Sequence, residues 1–335
     1  MKKGLTCVVR LLLASLLTTS FEAMSRSDEK GAEVDPVNRG TAHEALYGLC
    51  LSGDRAIAVG QAGLILESGD RGNTWVELDR FTESAVLDVD CGLDIELYVG
   101  QGGSVYRRSG VDVEEVQSGT DARLMSVAQS PNGELAVAAG AFGTILRSGD
   151  KGLTWQASSL DWFAILNDYV EPHLYDVHVS DAGRITIVGE FSLVLQSDDG
   201  GLTWQKRNLG DPSLFGLYMG PSGSGYAVGQ EGTVLTTLNG GETWAAVATP
   251  TKDILLNITR TDSGVVLATG IRNFIFSKDQ GTSWSELENP ALTAGWYQGL
   301  ALLPQATGSP QELLLAGHQA PILNIESQYP QLVAN

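Results

Sequence analysis

One eight-residue phrase recurs five times in this chain, at Ser68–Trp75, Ser148–Trp155, Ser197–Trp204, Thr237–Trp244 and Ser277–Trp284. Its pattern is S-x-D-x-G-x-T-W, with Thr237, Asn239 and Ser283 as its conservative variants. Upstream of each copy an apolar run ends in glycine, at Gly60, Gly140, Gly189, Gly229 and Gly270. The interval from glycine to tryptophan is 15 residues four times and 14 in the last. Two further runs, ending at Gly100 and Gly317, keep the glycine and have lost the phrase; Arg108–Asp112 is a degenerate remnant of it. The glycines then step by 40, 40, 49, 40, 41 and 47 residues, which defines seven units.

Each unit reads as four short strands. In the first, Leu46–Leu51 is followed by a turn at Ser52–Asp54, then by Ala56–Gly60, Leu64–Ser68, the repeated phrase and Thr74–Leu78. Short runs rich in Val, Ile, Leu and aromatics between turn residues are hairpin strands. Four such strands repeated near 40 residues mark a propeller blade, which cannot bury both faces alone and depends on its neighbours. The expected fold is all-β: a seven-bladed β-propeller of four-stranded antiparallel blades. The blades fall near 44–80, 84–118, 123–158, 174–209, 213–249, 253–289 and 295–326, a propeller of 44–326 followed by a tail at 327–335. The seventh unit lacks a clear outermost strand. An N-terminal segment (26–43), through Ala32–Val37, is expected to supply that strand and close the ring; Gln328–Ala334 is the competing local candidate, disfavoured by its proline.

The phrase has a mechanical reading. Asp or Asn at its third position accepts hydrogen bonds from its own turn, glycine at the fifth tolerates positive φ, and Ser or Thr adds local bonds. The tryptophan opens the outer strand and packs over the turn. Asp70, Asp150, Asp199, Asn239 and Asp279, with Trp75, Trp155, Trp204, Trp244 and Trp284, are therefore fold residues rather than metal or sugar ligands.

Lys2, Lys3 and Arg10 precede an apolar Leu11–Leu17, and Ala23-Met24-Ser25 offers a small-x-small cleavage site. Residues 1–25 read as a secretory signal peptide, too short in its apolar core to span a bilayer. The expected location is the periplasm. The whole chain carries a net charge of −19; removing three basic residues and one acidic one leaves −21. Such an acidic surface repels nucleic acid and anionic lipid, so neither is an expected partner, and the expected state is a monomer. After cleavage only Cys50 and Cys91 remain. They fall on the inner strands of adjacent blades, one register step apart, and either meet across the seam as a disulfide or stay as buried thiols.

Motifs for chemistry are sparse. His43, His173, His178 and His318 form no metal-ligand pair of standard spacing, and HExxH, GxSxG and a P-loop are missing. No metal, cofactor or catalytic residue is expected.

The stretches 58–75 and 138–155, A-V-G-x-x-G-x-I-L-x-S-x-D-x-G-x-T-W with Ala139 in place of Val59, resemble the BNR or Asp-box repeats of the photosystem II assembly and stability factor family, over Leu46–Ile325. The resemblance implies a seven-bladed propeller without enzymatic activity. It also implies an exported accessory protein of a membrane complex, such as a lipid-handling RND-type transporter. Photosynthetic members carry an arginine-rich surface; the acidic balance here argues against a photosystem client. The alternative function is glycan binding or sialidase-like glycoside hydrolysis, because sialidases also carry Asp-boxes. Their Arg-Ile-Pro motif does not occur, Arg184-Ile185 being followed by Thr186, and they have six blades.

In blades of this order the boxes lie on one face, the bottom. The turns between second and third strands share the top with the links between blades. The top ring is expected to present Gln61, Gln101, Phe142, Glu190, Phe191, Gln230, Glu231, Arg272, Asn273 and His318 to a protein partner. The long step adds an insertion, 156–173, containing Trp162, Phe163 and His173. It is either a binding loop, since aromatic side chains make interface anchors, or a lid over the seam of blades 3 and 4.

Overall fold

A computed structural model describes residues 36–287, 289–304, 311–319 and 321–325. The signal segment, residues 26–35 and Gln328–Ala334 lie outside them. The described chain forms seven four-stranded antiparallel sheets. Each runs outward from an inner strand: Leu46–Ser52, Val86–Cys91, Leu124–Gln129, Leu174–Val179, Leu214–Met219, Leu255–Arg260 and Tyr297–Leu302. In the seventh sheet the outermost strand is Pro36–Asn38, paired antiparallel to Ile322–Ile325 with Pro36 opposite Leu323. The N-terminal segment therefore closes the ring. Val37 packs on the apolar cluster between blades 7 and 1.

The second strands, among them Arg55–Gly60, Glu96–Gly100 and Ala136–Gly140, are buried almost throughout. Unbroken apolar runs replace period-two alternation because both faces of a blade are covered by its neighbours. Seven apolar clusters result, one per seam. Leu97, Val99 and Val105 of blade 2, for example, pack on Leu124, Ala136, Leu146 and Trp155 of blade 3.

The glycine ladder has a steric cause. A Cβ on Gly60 would lie 2.0 Å from the Ala45 carbonyl, on Gly229 1.8 Å from that of Ser213, and on Gly317 1.9 Å from that of Trp296. Ala45, Ser213 and Trp296 each precede their blade's inner strand, and their carbonyls accept from the residue after the glycine: Gln61, Gln230 and His318. Glycine stands there because backbone meets backbone.

The boxes bond internally as their residue types demand. Ser68 Oγ accepts from Gly72 N at 2.8 Å, and Asp70 Oδ1 accepts from Thr74 N at 2.8 Å. Trp75 Nε1 donates to the Gly72 carbonyl at 2.9 Å. Hydrogen bonds from Thr74 and Ser68 hold Asp70 down to about 2, and the Ser283 and Ser277 bonds do the same for Asp279. The boxes are also ties between blades, which local turn bonding does not account for. Their fourth-position carbonyls at Lys151, Gly200, Gly240 and Gln280 accept from Arg107, Arg147, Gln196 and Tyr226 of the preceding blade. Arg71 of the first box donates instead to the Pro304 carbonyl of blade 7. The fifth-position glycines press on the same neighbour: a Cβ on Gly152 would lie 2.5 Å from Leu97 Cδ2, at a backbone φ of +75°. Each tryptophan packs at that seam.

Blade 2 has no box, and other chemistry holds its seam with blade 1. Cys50 and Cys91 form a disulfide, Cα to Cα 5.5 Å. Beside it the buried Glu96 pairs with Arg55 of blade 1 and with Arg108, and accepts from the Tyr98 hydroxyl.

Candidate functional site

The seven inner strands share an irregularity that builds a site. In each, the register against the second strand shifts between the first and third residues, as between Leu46 and Gly48 or Leu174 and Asp176. The residue in between is a bulge residue, released from the ladder and re-aimed. In chain order these are Tyr47, Leu87, Met125, Tyr175, Phe215, Leu256 and Gln298. All seven line a funnel of about 390 Å³ on the top side of the ring, with Gln101 and Arg123 at its margin. Two aromatic series lead into it. One runs from Phe142 through His173 to Tyr175 and Phe215, with centroid steps of 5.0, 6.4 and 4.8 Å. The other runs from His318 through Trp296 to Tyr47, in steps of 5.9 and 6.0 Å.

Below the funnel the third residues Gly48, Asp88, Ser126, Asp176, Asn257 and Gly299 close a narrow waist, and Gly216 holds the same strand position in blade 5. They are small, or they bond to the next blade. Asp88 accepts from Val127 N at 2.9 Å, Asp176 from Leu217 N at 2.7 Å, and Asn257 donates to the Gln298 carbonyl at 2.7 Å. A Cβ on Gly216 would lie 2.7 Å from Asn257 Cα. Asp90, two residues beyond Asp88, accepts from Gln129 N of blade 3. These carboxylates are only partly exposed, each enclosed between its own blade and the next, from whose backbone N–H it accepts. Desolvation pushes Asp88 up to about 6 and Asp90 up to about 7. Desolvation, with the Asp88 charge second, pushes Asp176 up to about 7.

The expected top-face residues divide on inspection. Gln61, Phe142, Phe191, Glu231, Arg272 and His318 are exposed, and Gln101 borders the funnel. Asn273 is buried, its amide donating to Thr251 Oγ1 and Asp253 Oδ2, and it anchors the link to its own blade. Glu190 and Gln230 accept from the backbone of His173 and Ser213, fixing inner-strand entry points. His173 Nδ1 accepts from Phe142 N and so braces the blade 3 turn.

The insertion is partly lid and partly exposed. Trp162–Leu166 forms a short helix capped by Asp161, which accepts from Ala164 N. Trp162 turns down onto the seam of blades 3 and 4, against Gly143, and is no free anchor. Phe163 turns out and stacks on Tyr169 at 4.6 Å.

Sequence reasoning missed the funnel residues, although a signal was present. Every inner strand opens with two large residues and then a small or polar one: Leu46-Tyr47-Gly48, Val86-Leu87-Asp88, Leu124-Met125-Ser126 and so on. Two adjacent bulky residues break the alternation of a strand with one free face, which marks a bulge.

Residues 156–253 match the model of the family described as photosynthesis system II assembly factor YCF48. The chain is a BNR-repeat propeller resembling the photosystem II assembly factors. Two solved structures of such factors superpose on it. "YCF48 bound to D1 peptide" has 16% identity and a TM-score of 0.66, covering 88% of this chain and 96% of that one. YCF48 from Cyanidioschyzon merolae has 17% identity and a TM-score of 0.67, covering 89% and 100%. Virginiamycin B lyase from Staphylococcus aureus has the same fold, with 12% identity, a TM-score of 0.71 and coverage of 87% and 96%. At such identities the superpositions establish the fold alone. Among curated proteins no sequence matches this photosystem II assembly factor-like chain.

Proposed function

We propose that this protein is an exported, non-catalytic propeller that binds a protein partner in the funnel and rim of its top face, as an accessory to a membrane complex such as an RND-type transporter. The observation that carries the reading is the set of seven bulges. Each withdraws one residue from its ladder, and six of the seven present a large apolar or aromatic side chain to a single concavity. Concave, mainly apolar sites with a few polar groups are where ligands seat, and Gln101, Gln298 and Arg123 supply the polar groups here. YCF48, a propeller of similar fold, binds a D1 peptide, which supports a peptide as the kind of ligand taken here. The Cys50–Cys91 disulfide supports export, because such bonds persist in oxidising compartments. A catalytic reading has only fold likeness to a lyase behind it, and function belongs to sites rather than folds.

The test is affinity capture from detergent-solubilised envelope with wild type and Met125→Glu, which places a charge on the funnel wall without altering a seam. Loss of a partner with Met125→Glu supports the reading. Equal recovery of every partner sinks it, and turnover in a chromogenic glycoside screen would revive the hydrolase alternative.

A further inference from the structure

The sector of the top face over blades 3 and 4 is unlike the rest of the rim. Phe163 and Tyr169 stack in the open, Tyr169 at 85% exposure, beside the exposed Val170. The top turns of the two flanking blades each carry a phenylalanine, Phe142 and Phe191, at φ +55° and +61°. The same turn position is left-handed in the other blades too, at Ala62, Gly102, Glu231, Arg272 and Gln319, so the backbone is common to the ring and the phenylalanine rings are what mark this sector. Both phenylalanines are exposed, with the Phe142 ring edge-on to His173.

Charge identifies what this apolar face suits. Between Lys151 and Arg184 the chain has no lysine or arginine, while Asp161, Asp168 and Glu171 surround the aromatic pair in sequence and are exposed. Asp161 and Asp168 each give one oxygen to a backbone N–H of their own loop, at Ala164 and Tyr169. Two cations border the sector. Lys206 donates its ammonium to the Ile165 carbonyl beneath the helix, and Arg123 lines the funnel.

We infer that this sector docks a cationic peptide segment of the partner, one that alternates basic residues with aromatic or aliphatic ones. The inference deepens the protein-binding reading above and rests on it. Aromatic faces take the apolar side chains and, through cation–π contact, part of the charge. The carboxylates steer the segment in and select against acidic competitors.

The probe is a fluorescein-labelled, end-capped peptide of alternating Lys with Phe and Leu, titrated by fluorescence anisotropy against the full chain at two salt concentrations. The controls are the same peptide with Glu for Lys, and one of equal positive charge with Ser for Phe and Leu. Phe163→Ser/Tyr169→Ser is expected to weaken the Lys-Phe-Leu peptide about tenfold or more. Asp168→Asn/Glu171→Gln is expected to weaken it about threefold and to flatten its salt dependence. All four positions are exposed, so melting curves of both variants should overlay wild type. Equal binding of any two of the three peptides overturns the inference, as does indifference to both variant pairs. Envelope capture separates the two readings. A partner lost with Met125→Glu yet retained by both sector pairs overturns the sector while leaving the funnel; a partner retained by all variants overturns the funnel itself.

Discussion

At the scale of single residues, the box tryptophans differ in one bond. Trp155 is buried and its Nε1 donates to the Gly152 carbonyl, whereas the buried Trp204 Nε1 has no acceptor among the described residues. Replacing each by phenylalanine keeps much of the apolar contact and removes the indole N–H. Trp155→Phe should therefore destabilise more than Trp204→Phe by about 1 kcal/mol, the net value of one hydrogen bond. Chemical denaturation of the two variants checks this, and an equal or reversed loss would mean that shape alone governs the site. The same scale shows what a residue pattern can announce. The positive φ of Gly72, Gly152 and Gly201 follows from the turn type and was expected from sequence. The contact of those glycines with the preceding blade was not, because a box of eight residues contains no record of its neighbour.

At the scale of elements, the seams are the units of stability, and they are not built alike. Five blades are tied to their predecessor by a box. Blade 2 is tied by the Cys50–Cys91 disulfide and the Glu96 ion pairs, which stand where the box has eroded. The cross-link spans 41 residues of sequence. Removing it by Cys50→Ala/Cys91→Ala should cost about 2–4 kcal/mol, chiefly by freeing the unfolded chain. Thermal melts of the variant and of reduced wild type should shift down together; no shift in either would show that the ion pairs alone hold this seam. The sequence left open whether these cysteines meet, because strand register gives the side of the sheet and not the distance across a seam.

At the scale of the whole molecule, the inner ring concentrates carboxyls with raised proton affinity. Asp88, Asp90 and Asp176 bind protons more tightly folded than unfolded, so their contribution favours the native state below about pH 4 and is lost as pH rises through about 6 to 7. The box aspartates act oppositely: held low, they stabilise above the ordinary carboxylate range and lose that effect as pH falls toward about 2. His178, which burial holds below its ordinary value, adds stability as pH rises toward about 6.5, one group against three. The melting temperature should therefore fall between about pH 5 and pH 7.5, and Asp88→Asn/Asp176→Asn should flatten that slope. Scanning calorimetry across that range checks it; a rise over the same interval would contradict the enclosure of these carboxyls.

By itself the sequence determined the number of blades, their strand order, the face on which the boxes lie and the residues that make each box. All of these are written as local repeats, and a repeat that cannot bury its own faces has one economical solution, a closed ring. The tertiary structure decided what depends on distance between units. It selected Pro36–Asn38 as the closing strand, turned Trp162 and Asn273 inward, joined Cys50 to Cys91, and gathered seven bulge residues from seven separate strands into one funnel. Those residues lie roughly forty positions apart in the chain and meet only because the ring closes, so the site is a property of the closure and not of any one blade.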